Sequence, residues 1–168
     1  VGTRRLYNEG AALGPLGLAS RRYERQFARY VTAHGRLRED IVFHGILGAD
    51  KWRLLREAKV AVTNPTGAGE TFCLSAAEFG LLGVPVVTRN VGGPTDVVES
   101  GVTGILFDDE RDLPEAVVGL LTDENRRAEM GRNAMARVRS RFDIDIVIAK
   151  WRRVIDEILA GDPVAADL

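Results

Sequence analysis

The stretch KVAVTNPTGAGETFCLSAAEFGLLGVPVVT, residues 59–88, decides the fold. It begins with an apolar, β-rich run at 59–63 that stops at Asn64-Pro65, and a glycine-rich turn follows. A helical pattern then runs over about 74–82, and a second apolar run occupies 84–88. Near-continuous aliphatic runs of this length are typical of strands buried on both faces. The stretch therefore predicts a strand–helix–strand unit of a parallel sheet.

The same alternation continues on both sides of this unit. We predict further strands at 41–44 and 104–107, and a strand end at Val1-Gly2 followed by a loop. Repeated alternation of this kind predicts an α/β fold, a Rossmann-like doubly wound parallel sheet with helices on both faces. The predicted helices are about 20–34, with Tyr23, Phe27, Tyr30 and Val31 on one face and His34 as C-terminal cap; a short helix after Asp50; a short helix from Pro94; 113–121; 123–141, capped by Asp123; and 144–159, capped by Asp143.

Composition limits the class of protein. The 168 residues are 45% apolar, which suits one globular domain over 1–168. A net charge of −1 gives no indication of a nucleic-acid partner. Cys73 is the only cysteine, and no apolar run approaches the length of a membrane span, so we expect a cytoplasmic location. Because the chain begins Val1-Gly2, we expect a piece of a longer protein, and any membrane contact would come through the missing part.

The chemistry concentrates in the turn that follows the strand at 59–63. Ligands of open parallel sheets bind outside the carboxyl ends of the strands, and free N–H groups at a helix start can hold a phosphate. Glu70 precedes the helix and Glu78 lies in its early turns, so both carboxylates can approach one ligand. Carboxylates accept hydrogen bonds from hydroxyl pairs of a ribose or a sugar. The pattern fits a nucleoside diphosphate sugar, and a capped helix with two solvated glutamates is the alternative.

Glu70 and Glu78 match the E-x7-E motif of glycosyltransferase family 4, and the chain resembles the C-terminal domain of that family over 41–159. The resemblance implies a GT-B architecture of two Rossmann-like domains, with the donor bound in this one. An N-terminal domain outside the chain would bind the acceptor, which would be a glycan, a lipid or a small molecule. The other matching segments are Val42-Phe43-His44-Gly45, Asn64-Pro65-Thr66, Gly92-Gly93, residues 101–106, and Arg141-Phe142 with Trp151.

The same resemblance implies roles for individual residues. Glu78 would hold the ribose hydroxyls, and Glu70, the catalytic candidate, would contact the transferred sugar. The reaction would transfer a hexose with retention of configuration, without a metal or other cofactor, and the nucleoside diphosphate would leave against amides and cations. The remaining donor-binding residues would be Thr71, Phe72, Cys73 and Leu74 at the helix start, Pro65 and Thr66 in the turn, and Gly45, Ile46 and Leu47 beside the base.

The chain departs from the family pattern in three places. The Arg and Lys that grip the diphosphate in the family would lie upstream of Val1, so we do not expect turnover by this chain alone. Cys73 stands where a glycine is usual, and its side chain is expected to lie beside the phosphate turn and narrow donor choice. Three residues separate Pro65-Thr66 from Glu70, where two are also common.

Other interpretations remain open. A related GT-B enzyme, such as a sugar-nucleotide epimerase or a glycogen-synthase-like enzyme, would present a similar site, and a non-catalytic interaction module could keep the fold. Asp143-Ile144-Asp145 spells the D-x-D of metal-dependent glycosyltransferases, but its position directly before a helix predicts a cap. His44 ends a predicted strand and is a weaker candidate for the donor pocket.

Overall fold

The structure is a computed structural model that describes residues 21–34, 36–42, 44, 47–63 and 69–161. The chain divides into two compact units, Val1–Lys51 and Trp52–Leu168. The strand end and loop predicted for residues 1–19 lie outside the described residues. The extent of the domain, 1–168, stays a prediction.

The first unit contains a helix and a small hairpin. Helix α1, Arg21–Val31, ends before the predicted position, and β1, Thr32–Ala33, pairs antiparallel with β2, Arg36–Leu37. Thr32 donates a 2.7 Å hydrogen bond from Oγ1 to the carbonyl oxygen of Ala28, which satisfies an acceptor of the last helical turn. The predicted cap role of His34 is therefore wrong, because His34 lies in the turn of the hairpin with φ 51°.

Two predictions for the first unit differ from the structure. The apolar face of α1 is only partly as predicted, and the strand predicted at 41–44 is wrong. Phe27 and Val31 are half-buried, but Tyr30 is 62% exposed, and the guanidinium of Arg29 lies over its ring. The side chain of Tyr23 lies outside the described part. Ile41, Val42 and His44 belong to no strand, and Val42 is 67% exposed. The amide of Ile41 donates a 3.2 Å hydrogen bond to the carbonyl oxygen of Arg38, so it is used in a turn and not in a strand ladder.

The second unit carries the predicted parallel sheet. Its described strands are β3, Ala61–Thr63; β4, Val86–Arg89; and β5, Gly104–Phe107. They are parallel in the order β3-β4-β5, with Val87 opposite both Val62 and Ile105. Helix α2, Lys51–Glu57, begins at the last residue of the first unit. The helices that follow are α3, Leu74–Leu81; α4, Pro94–Val97; α5, Leu113–Thr122; α6, Glu124–Phe142; and α7, Ile144–Ala160, with a 3-10 turn at Glu110–Asp112.

Helices cover both faces of this sheet. Val86 faces a core that includes Ala76 of α3 and Val138 of α6. Its neighbour Val87 faces a second core, with Leu120 of α5 and Met130 of α6. Successive side chains of a strand point to opposite faces, so the two cores lie on the two sides of one sheet. The predicted α/β fold with helices on both faces is confirmed.

The predicted caps of the two long helices are also confirmed. The carboxylate of Asp123 accepts a 2.9 Å hydrogen bond from the amide of Arg126, and that of Asp143 accepts one of 3.0 Å from the amide of Asp145. Asp143 of the D-x-D sequence is therefore an N-cap. Across 21–161, within the described residues, no helix is long and apolar enough to cross a membrane.

Candidate functional site

The start of α3 is built around the carboxylate of Glu70. Its Oε1 accepts a 2.9 Å hydrogen bond from the amide of Cys73 and a longer one, 3.5 Å, from the amide of Phe72. No described residue accepts a hydrogen bond from the amides of Leu74 and Ser75. Four successive amides thus lie at the beginning of a helix that follows a parallel strand, an arrangement suited to binding an anion.

The double-glycine loop after β4 holds this turn in place. The amide of Gly93 donates a 3.1 Å hydrogen bond to the carbonyl oxygen of Glu70. A Cβ at Gly93 would lie 2.2 Å from the backbone of Thr71 and Phe72, and a Cβ at Gly92 would lie 2.7 Å from the Glu70 carbonyl oxygen. The two backbones therefore touch in a way that excludes any side chain.

Sequence reasoning identified the double glycine only as a motif and missed this contact. A signal for it was available, because the loop follows β4, and β4 is the strand beside β3. The carboxyl ends of neighbouring parallel strands lie at one edge of the sheet. Loops that leave adjacent strands at that edge are expected to meet.

Cys73 is buried under the turn. Its backbone is left-handed, with φ 68° and ψ 67°, which explains why a glycine would suit the position. The side chain is 1% exposed, and its thiol donates to the hydroxyl oxygen of Thr63 at 3.6 Å and lies 3.5 Å from that of Ser75. The side chain lies at the turn, as expected, but its thiol is packed inward against the end of β3. The expected narrowing of donor choice stays a prediction.

An aromatic contact anchors the turn from a third direction. The half-buried ring of Phe72 packs edge to face against Phe142, with centroids 5.0 Å apart and planes at 81°. Phe142 is the last residue of α6, and sequence reasoning gave it no role at the site. Thr71 and Leu74, which flank Phe72 and Cys73 in the sequence, are exposed, Leu74 by 71%.

For the other predicted site residues, the structure gives the exposure of three and does not describe the rest. Glu78 is half-buried within α3. Leu47 is half-buried in the first unit, in neither helix nor strand, and His44 is exposed. The remaining members of the predicted donor-binding set lie outside the described residues: Gly45, Ile46, Pro65 and Thr66.

Charged groups at the ends of β4 and β5 are engaged with one another. Arg89 lies 3.8 Å from the carboxylate of Glu110, and its guanidinium lies over the ring of Phe107. Hydrogen bonds from the side chain of Arg111 lower the pKa of Asp109. Among the described residues, no three His, Cys, Asp or Glu side chains are arranged to hold a metal ion.

Comparison with known proteins gives a family and several relatives. Residues 21–137 match the family described as glycosyl transferases group 1. A GDP-mannose-dependent alpha-mannosyltransferase of Corynebacterium glutamicum is 32% identical over 93 residues, which is 54% of this chain and 22% of that protein. The alpha-1,3/1,6-mannosyltransferase alg-2 of Neurospora crassa is 33% identical over 115 residues, 65% of this chain and 24% of that protein.

Solved structures share the fold. The crystal structure of Anabaena HepE in complex with UDP-glucose superposes with a TM-score of 0.68 and 27% identity, over 86% of this chain and 38% of that one. The matching part of this chain thus spans about a quarter of the length of the two mannosyltransferases and 38% of the Anabaena chain.

Proposed function

Because this chain belongs to the glycosyl transferases group 1 family, we propose that it is the donor-binding domain of a glycosyltransferase that uses a nucleoside diphosphate sugar. The finer assignment is family 4, with this chain as the C-terminal domain of a GT-B enzyme. The E-x7-E spacing of Glu70 and Glu78 and its position between β3 and β4 support this assignment. A domain outside this chain would bind the acceptor, a glycan, a lipid or a small molecule.

One observation carries the proposal: a carboxylate and a cluster of helix-start amides share one turn. The amides of Phe72, Cys73 and Leu74 suit the distal phosphate, since the positive end of a helix favours anions. The Glu70 carboxylate beside them suits the hydroxyls of the sugar attached to that phosphate. A nucleoside diphosphate sugar requires both kinds of group within a few ångströms of each other.

The other proposed residues would contact the ribose, the base and the phosphates of the same donor. Glu78, within α3, would hold the ribose hydroxyls. Gly45, Ile46 and Leu47 would flank the base, and Pro65 and Thr66 would border the phosphates. A hexose would be transferred with retention, and the departing nucleoside diphosphate would be stabilised by the amides and the dipole of α3 without a metal. The enzyme would work in the cytoplasm.

Names of relatives support the donor class and suggest bases to test. The Corynebacterium relative is named for a dependence on GDP-mannose, and the Anabaena structure contains UDP-glucose. Both are nucleoside diphosphate hexoses, which is the class that the turn at Glu70 fits.

Thermal unfolding with UDP-, GDP- and ADP-sugars tests the proposal. A ligand that binds the native state raises the unfolding midpoint, and millimolar ligand reveals even weak binding. We expect a rise with sugars of one nucleotide, and we expect Glu78→Gln to lose it. Glu129→Gln, the same change at an exposed position of α6, serves as the matched control and keeps the rise. No rise with any nucleotide sugar, in this chain and again in the full-length protein, would contradict the proposal and favour an interaction module.

A further inference from the structure

The carboxylate of Glu70 occupies the amides that the donor needs. Its Oε1 accepts hydrogen bonds from Cys73 at 2.9 Å and from Phe72 at 3.5 Å. A phosphate oxygen bound by the same two amides would stand where this carboxylate oxygen stands. Two anionic oxygens cannot share one pair of donors, because like charges at contact distance repel strongly.

The backbone of the turn has little freedom to relieve this conflict. The carbonyl oxygen of Glu70 is bound by the amide of Gly93, and there is no space between Gly93 and the backbone of Thr71. The Cys73 side chain is buried, and the Phe72 ring is packed on Phe142. What can move is the side chain of Glu70, which is half-buried and has staggered alternatives at each of its torsions.

We propose that Glu70 competes with the donor: its carboxylate caps the amides of Phe72 and Cys73 when no donor is bound, and leaves them when the distal phosphate binds. This inference rests on the proposed donor site and adds a mechanism of selectivity to it. A nucleoside diphosphate displaces the carboxylate and leaves it with water alone. A nucleoside diphosphate sugar displaces it too, but supplies sugar hydroxyls as new partners. The exchange therefore favours the intact donor over the nucleoside diphosphate product.

Substitution of an ordinary binding residue lowers the affinity for the ligand, whereas substitution of Glu70 is expected to raise the affinity for the nucleoside diphosphate. Removing Glu70 frees the two amides and removes a negative charge beside the phosphate. Glu70→Ala should therefore bind the nucleoside diphosphate more tightly than the unchanged chain, by at least about threefold, given the strength of a charge-assisted hydrogen bond. Because the variant lacks the sugar contact, the preference for the nucleotide sugar over the nucleoside diphosphate should shrink by a similar factor.

Isothermal titration of the 168-residue chain with UDP, GDP and ADP, and with the matching sugars, tests this. Glu70→Gln, which keeps the size of the side chain and a neutral acceptor, gives a second variant with an expected intermediate gain. Glu129→Gln is the control and should leave every constant unchanged. Amide proton shifts of Phe72 and Cys73 in the ligand-free chain should move upfield in Glu70→Ala as the charged acceptor is lost.

The possible outcomes distinguish the competitor role of Glu70 from the proposed donor site itself. Tighter binding of the nucleoside diphosphate by Glu70→Ala and Glu70→Gln supports the competitor role. If the unchanged chain binds a nucleoside diphosphate and both variants bind it equally or more weakly, the competitor role is overturned and the donor site stands. If no form of the chain binds any of the three nucleotides, the proposed donor site fails, and the competitor role fails with it.

Discussion

The amide of Gly93 donates a 3.1 Å hydrogen bond to the carbonyl oxygen of Glu70, and so joins the loop after β4 to the turn before α3. The two residues are far apart in sequence, but they leave neighbouring parallel strands at the same edge of the sheet. The contact fixes the backbone from which the Glu70 carboxylate extends. The double glycine is therefore a positioning element of the candidate site.

Gly93→Ala is expected to destabilise the chain and to weaken donor binding. The new methyl group would lie 2.2 Å from the backbone of Thr71 and Phe72, so one of the two loops must move. Overpacking of this kind costs about 1–3 kcal/mol, measured as the free energy of unfolding in urea. Gly119→Ala in α5, where the methyl meets nothing within 4 Å, is the control and should stabilise by about 0.5–1 kcal/mol. Equal stability of Gly93→Ala and the unchanged chain would rule out the close approach.

Substitutions of Cys73 should reverse the usual order of alanine and glycine. Both remove the buried thiol, but alanine keeps the left-handed strain at φ 68°, whereas glycine relieves it. We expect Cys73→Gly to be more stable than Cys73→Ala by about 1 kcal/mol in chemical denaturation. An alanine variant as stable as the glycine variant would mean that the backbone at this position is not left-handed.

Phe142→Leu should destabilise the turn before α3, although Phe142 lies in α6 and not in that turn. The substitution keeps most of the apolar volume but removes the edge-to-face contact with Phe72, a loss of about 1 kcal/mol. Because Phe72 supplies one of the site amides, affinity for the donor should fall as well. Trp151→Leu, at an aromatic residue of α7 that is 63% exposed, should change the free energy of unfolding by less than about 0.5 kcal/mol. A Phe142→Leu variant with unaltered stability and affinity would show that the contact is dispensable.

Asp143 should behave as a helix cap and not as a metal ligand. Asp143→Ala is expected to lower the free energy of unfolding by about 1 kcal/mol, because the amide of Asp145 loses its acceptor. Asp143→Asn keeps an acceptor and should be close to neutral, and neither variant should alter donor binding. If Asp143→Asn keeps its stability but loses donor binding, the interpretation of Asp143 as a cap alone is contradicted.

The strands and helices of the second unit could be predicted from the sequence because their sequence signals are strong and local. Aliphatic runs at 59–63, 84–88 and 104–107 each gave a parallel strand, and Asp123 and Asp143 capped the helices predicted after them. The prediction failed near residues 32–44, where short apolar runs carry no helical or strand period of sufficient length. There the path of the backbone depends on hydrogen bonds between residues, such as the one from Thr32 to Ala28.

The sequence predicted the secondary structure around Glu70 but not the contacts that the turn makes. The predicted strand, turn and helix around Glu70 are present, and the role that the resemblance implies for Glu70 stays a prediction. The orientation of Cys73, the ring of Phe142 and the approach of Gly93 depend on backbone torsions and on packing between distant segments. Single-sequence patterns contain neither kind of information.

The most direct test of the account is an NMR titration of the ¹⁵N-labelled chain with the nucleotide sugar that gives the largest thermal shift. We predict that the largest amide shift changes fall on Phe72, Cys73 and Leu74, followed by Gly93, and that α7 remains unchanged. Changes centred on α5 or α7, with these four amides unaffected, would contradict the claim that the start of α3 binds the donor.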